Sequence, residues 1–172
     1  ELILGAYLHT LGFRVHYEQQ LLDKTPDWVI EGEHSVPQAI IELVNLHIDQ
    51  TTERTIQKKI QARPAIVTFW QDENADNLKR LYERLEEKMI SYQELVKTLT
   101  VPYIIAVFLH SELVFDTEEV LDCLVGKPGA LFERNNYVSG VLLFSENSGG
   151  YSFQYFDNSA SLRRWDIPSG RY

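Results

Sequence analysis

The spacing of apolar positions changes several times along the chain, and each change marks an element. Residues 1–11 place Leu2, Leu4, Leu8 and Leu11 near helical spacing, with Gly12 following as a stop. Residues 13–19 switch to alternation, with Phe13, Val15 and Tyr17 set against Arg14, His16 and Glu18; this is the period of a half-exposed strand. After a turn-prone stretch, 27–31 reads as a second short strand. A loop over 32–37 then leads into a third strand at 38–46. A helix is predicted from Thr51 or Thr52 to Ala62, and a short apolar strand over 65–70. The longest helical pattern covers 74–99, where Leu78, Leu81, Leu85, Met89, Tyr92, Leu95 and Leu99 form one stripe.

Residues 102–109 form a continuous apolar run that reads as a central strand, and 117–125 a short helix capped by Thr117. Strands at 137–144 and 151–156 flank a glycine-containing loop and predict a β-hairpin. The polar tail, 157–172, is expected to lie over the surface or fray. Helix, three strands, helix, strand, helix, strand predicts an α/β sandwich on a mixed sheet. The first three strands should be antiparallel neighbours, and those joined through helices parallel. No repeat or linker divides the chain, so 1–172 reads as one domain, with a core over 1–126 and a hairpin and tail over 127–172.

Two of the predicted strands carry a carboxylate inside an apolar run: Asp27 after Pro26, and Glu42 within Ile40-Ile41-Glu42-Leu43-Val44. A buried ionised carboxylate costs several kcal/mol unless it is paired or holds a metal. Acids on adjacent strands can approach across the pair, and together they point to a divalent-cation site. The alternative is that Asp27 caps the turn after Pro26 and Glu42 pairs with a neighbouring base.

Charge and composition narrow the classes. A net charge of −9 argues against a protein that coats nucleic acid non-specifically, but 53–63 holds Arg54, Lys58, Lys59 and Arg63 against the single acid Glu53. The single cysteine, Cys123, excludes an internal disulfide and fits a reducing, cytoplasmic setting. No apolar run approaches the roughly 18–20 residues that span a bilayer, so no membrane partner is expected. There is no phosphate-cradling glycine loop, GxSxG elbow or Cys/His cluster. His9, His16, His34 and His110 lack zinc-ligand spacing. The chain opens on Glu1 rather than methionine, which reads as a trimmed piece of a longer chain.

A first helix bearing an acid (Glu1), a strand with Pro26-Asp27 and a following strand with Glu42-Leu43-Val44 together resemble the PD-(D/E)XK nuclease superfamily. The likeness covers roughly residues 1–70 and the order of elements through 109. It implies a restriction-endonuclease-like, three-layer α/β/α sandwich. It also implies a Mg²⁺ ion, replaceable by Mn²⁺, held by Asp27 and Glu42, and hydrolysis of phosphodiesters in nucleic acid, DNA before RNA. In such enzymes a lysine two residues after the glutamate orients or helps deprotonate the attacking water. Here that position is Val44, which can do neither.

Some members of the superfamily place this lysine on the helix after the third strand. At about 100° per residue, Lys59 lies on the flank of the stripe set by Ile56 and Ile60, whereas Lys58 faces solvent with Arg54. Lys59 is therefore the expected relocated amine, Arg54 and Lys58 the expected phosphate contacts, and Glu1 an accessory acid. A catalytically lapsed copy of the same fold, kept for binding or scaffolding, is the rival reading favoured by Val44 and the acidic charge. Trp70, Tyr103, Tyr137, Tyr151, Phe153, Tyr155 and Phe156 offer stacking faces for bases, though core packing explains alternating aromatics more simply.

Overall fold

The computed structural model describes residues 1–46, 54, 58, 71–110, 117–126 and 129–172. Helix α1 (Leu2–Thr10) leads into β1 (Arg14–Tyr17), β2 (Trp28–Glu31) and β3 (Pro37–Leu46). The long helix α2 (Gln71–Leu99) precedes β4 (Tyr103–Leu109). A short helix α3 (Thr117–Leu121), widening into a π-turn over Asp122–Gly126, and α4 (Leu131–Arg134) then lead to β5 (Gly140–Asn147), β6 (Gly150–Asp157) and β7 (Gly170–Arg171). Among the described residues seven strands form one sheet in sequence order. β1, β2 and β3 pair antiparallel, β3–β4 and β4–β5 parallel, and β5–β6 and β6–β7 antiparallel.

The fold is thus α/β on a mixed sheet, with the pairing directions that the connections predict. Short loops join β2 to β3 and β5 to β6, longer irregular segments join β1 to β2 and β6 to β7, and helix-bearing crossovers join the parallel strands. The predicted strand at 65–70 and most of the predicted helix at 51–62 lie outside the described residues; within the latter, Arg54 and Lys58 are helical.

Strand alternation gives the sheet two apolar faces, each covered by a helix. Ile40, Val44 and Leu46 of β3 join Tyr103, Ile105 and Val107 of β4 beneath Leu81, Leu85, Met89 and Tyr92 of α2. Ala39 and Ile41 join Ile104 and Ala106 on the opposite face, against Leu4, Tyr7 and Leu8 of α1. The approach of α1 is close. A side chain at Gly5 would begin 2.2 Å from the Trp28 ring, so only glycine lets the helix lie on that indole. β3 and β4 are central strands buried on both faces, which is why both read as nearly unbroken apolar runs. Glu42, 1% exposed, is the exception.

Helix α2 ends at Leu99, and the following Thr100 takes the left-handed conformation (φ 55°) that usually calls for glycine. Its amide bonds back to the Val96 carbonyl at 2.9 Å, and its own carbonyl accepts from Arg163 Nε at 2.7 Å. Arg163 belongs to the tail, which is held against the domain rather than frayed. The Asn158 amide donates to the Asn135 and Val138 carbonyls, the Tyr7 hydroxyl to the Pro168 carbonyl, and Ile167 is 1% exposed. A polar sequence conceals this anchoring because backbone carbonyls do the holding.

Ile167→Ala should therefore lower the unfolding free energy by about 2–5 kcal/mol, read as a fall in the urea midpoint. A change within about 0.5 kcal/mol would mean that the tail adds nothing to the core.

Candidate functional site

The acids enter the site through strand register. Trp28 pairs with Ile41, so one step back along β2 brings Asp27 opposite Glu42. The two residues interlock: the Asp27 amide donates to Glu42 Oε1 at 3.0 Å, and Asp27 Oδ2 accepts from the Leu43 amide at 2.7 Å. Pro26 favours an extended residue before it and supplies no amide of its own, so the chain enters the strand with Asp27 as the first donor. Alternation then aims Glu42 at α2, on the same face as Ile40 and Val44.

The charge that compensates Glu42 comes from α2. Lys88 Nζ lies 2.5 Å from Glu42 Oε2, with the lysine side chain 33% exposed. Beside the pair, the Tyr92 hydroxyl donates to the Thr25 carbonyl at 3.2 Å, and the Tyr103 hydroxyl donates to the Lys88 carbonyl at 3.1 Å. The ammonium groups of Lys24 and Lys88 stand 5.9 and 6.0 Å from the Tyr92 ring centroid, within reach of its negative face. A cleft of about 380 Å³ opens alongside, lined by Val44, Asn45, Arg84, Lys88, Ser91 and Tyr92. Its rim holds an ion pair between Arg84 and Glu87 at 2.8 Å.

These surroundings decide how the carboxylate titrates. Burial pushes the Glu42 pKa above its ordinary value of 4.5. The hydrogen bond from Lys88 works against that rise, the Asp27 charge adds to it, and the Tyr92 phenol again opposes it. The Tyr92 phenol is itself pushed up, first by burial and then by Glu42.

The other sequence-derived residues lie apart from this pair. Glu1 Oε2 accepts from the Tyr17 hydroxyl at 2.7 Å, on the face of the sheet that α1 covers. Arg54 and Lys58 are helical and exposed, and Lys59 lies outside the described residues. Val44 is a core residue, 5% exposed, packed beneath α2. Among the stacking candidates, Tyr103, Tyr137 and Phe153 are core side chains, and Trp70 lies outside the described residues.

Lys88 and Tyr92 are the residues that sequence reasoning missed, and the chain does carry a signal for Lys88. It sits seven residues from both Leu81 and Leu95, a single cation on the apolar stripe of α2.

Asp27 and Glu42 offer an all-oxygen, doubly negative donor set, the kind that hard cations such as Mg²⁺ prefer. The set is small, since among the described residues no three His, Cys, Asp or Glu side chains cluster. Nor is any helix among them long and apolar enough to cross a membrane. Comparison with family models, with curated proteins and with solved structures gives no match to this chain.

Because the folded protein holds a proton on Glu42 to higher pH than the unfolded chain does, this residue's contribution to stability is full below about pH 4.5. It is lost as pH rises through the raised native value. The unfolding free energy of the wild type minus that of Glu42→Gln should therefore fall as pH climbs from about 4 to about 7. A difference that does not change with pH would mean that Lys88 fully offsets the cost of burial.

Proposed function

We propose that this chain is a divergent restriction-endonuclease-like domain that hydrolyses phosphodiesters of nucleic acid with a divalent cation. In this reading Asp27 and Glu42 hold the metal, and Lys88 takes the place of the lysine that Val44 displaces. The observation that carries the reading is the Lys88 ammonium 2.5 Å from Glu42 on the Asp27 side of the sheet. It brings an acid, a second acid and an amine together from three different elements.

A Mg²⁺ ion bound there would polarise the scissile phosphate and make a bound water more acidic. The chain's own residues do the rest. Asp27 holds Glu42 Oε1 through its amide, so the orientation of the carboxylate is set by backbone as well as by rotamer. Lys88 reaches the cleft on a flexible stem, where its ammonium would orient the attacking water and offset the charge that gathers on the phosphate. Arg84, one helical turn before Lys88 on the cleft wall, would meet a neighbouring phosphate. Arg54 and Lys58, both exposed, would follow the nucleic-acid backbone. Glu1, held by Tyr17 on the far face, has no part in this arrangement.

One observation favours a second reading. Glu42 has both oxygens engaged, one by an amide and one by an ammonium, which is the compensation a purely structural acid needs. A lapsed nuclease-fold module that only binds or scaffolds would retain that pair.

Cleavage of a panel of DNA and RNA substrates in Mg²⁺ separates the two readings. Asp27→Ala and Glu42→Ala should each abolish cleavage while the far-ultraviolet circular dichroism stays native. Lys88→Met should lower kcat by about 10²–10³, the loss that follows removal of one positioned electrostatic group. A wild type that cuts nothing on the panel would leave the lapsed module standing, and unchanged cleavage in either acid variant would sink the metal assignment.

A further inference from the structure

We propose that Lys88 is a resident counter-ion that a divalent cation must displace. Loading of the Asp27–Glu42 pair and release of the Lys88 ammonium into the adjoining cleft would then be a single event. The inference rests on the nuclease-like reading of that pair and extends it to how the site is switched.

Burial and charge together favour the exchange. Glu42 is 1% exposed, its Oε1 is held by the Asp27 amide at 3.0 Å and its Oε2 by Lys88 at 2.5 Å. A cation shared with Asp27 would draw on one of those oxygens, each of which keeps a second lone pair, so what stands in its way is the charge of the ammonium. The amide is fixed by the β2–β3 register and cannot withdraw without unpairing the strands. The ammonium can withdraw. A divalent ion and an ammonium on one buried carboxylate repel each other strongly where the dielectric is low.

Lys88 also has somewhere to go. Its side chain is 33% exposed and lines the cleft of about 380 Å³ together with Ser91, whose hydroxyl can accept from it. The face of Tyr92, 6.0 Å from Nζ, gives a second resting place along a short swing. Without a cation, the acid pair is neutralised and the amine is masked. With one, the same exchange charges the site and presents the amine to the cleft where a phosphate would lie.

Calorimetric titration of Mn²⁺ into the wild type and into Lys88→Met tests the displacement. Removing the competitor should tighten Mn²⁺ binding at least tenfold. Equal or weaker affinity in the variant, with the wild type binding normally, overturns the displacement and leaves the metal site standing. No heat in either protein sinks the metal site and the displacement together. If Lys88→Met does not fold, the side-chain NMR signals of Lys88 in the wild type decide the matter. They should move as Mg²⁺ is added, in step with saturation, and signals that stay put while Mg²⁺ binds overturn the proposal.

Discussion

A carboxylate in the middle of a buried strand is a costly thing to keep, and the surroundings of Glu42 follow from that cost. An ion taken out of water loses several kcal/mol of hydration, and only close partners with good geometry return it. Here the partners are the Asp27 amide at 3.0 Å and the Lys88 ammonium at 2.5 Å, with the Asp27 charge and the Tyr92 ring close by. Each partner fixes something larger. The amide holds the entry of β2 against β3, and the ammonium adds to the apolar stripe of α2 in seating that helix on the sheet. Turning α2 by one residue, about 100°, would carry Lys88 away and leave the charge unpaired.

The same constraint places the chemistry. Glu42 belongs to the first of three parallel, doubly buried strands, and it points to the face covered by α2, so the groups that answer it come from that face. That concentrates Lys88, Tyr92 and Arg84 along one side of a single helix and opens the cleft beside them. The opposite face, under α1, is aromatic and apolar, with Tyr7, Phe144 and Phe153 stacked in series. One helix therefore serves packing, and the other serves both packing and the acid pair. The tail ties the two together, since Arg163 holds the end of α2 while the Pro168 carbonyl receives the α1 hydroxyl of Tyr7.

Much of this was legible in the chain, for identifiable reasons. Strand period put Glu42 and position 44 on one face and brought Asp27 opposite Glu42. Both follow from alternation and short loops, and the structure has them so. The parallel and antiparallel pairings were readable because connection length dictates direction. Lys59, the amine expected on the helix after β3, lies outside the described residues, and the cation beside Glu42 comes from a helix begun much later. That cation is distant in sequence because a crossover returns the chain over its own strand. The telling mark was the lysine in register with Leu81 and Leu95, a charge on an apolar stripe that a buried acid on the facing strand answers. The anchored tail was hidden for a different reason: its main holds are backbone carbonyls, which no residue type announces.

The central claim is that Glu42 and Lys88 stabilise the fold as a pair. A double-mutant cycle in unfolding free energy, through Glu42→Gln, Lys88→Met and the two combined, measures that coupling directly. The account predicts that the double variant is less destabilised than the sum of the single ones, by about 1–3 kcal/mol. Single effects that add to within about 0.5 kcal/mol would contradict it and would make the 2.5 Å contact an incidental one.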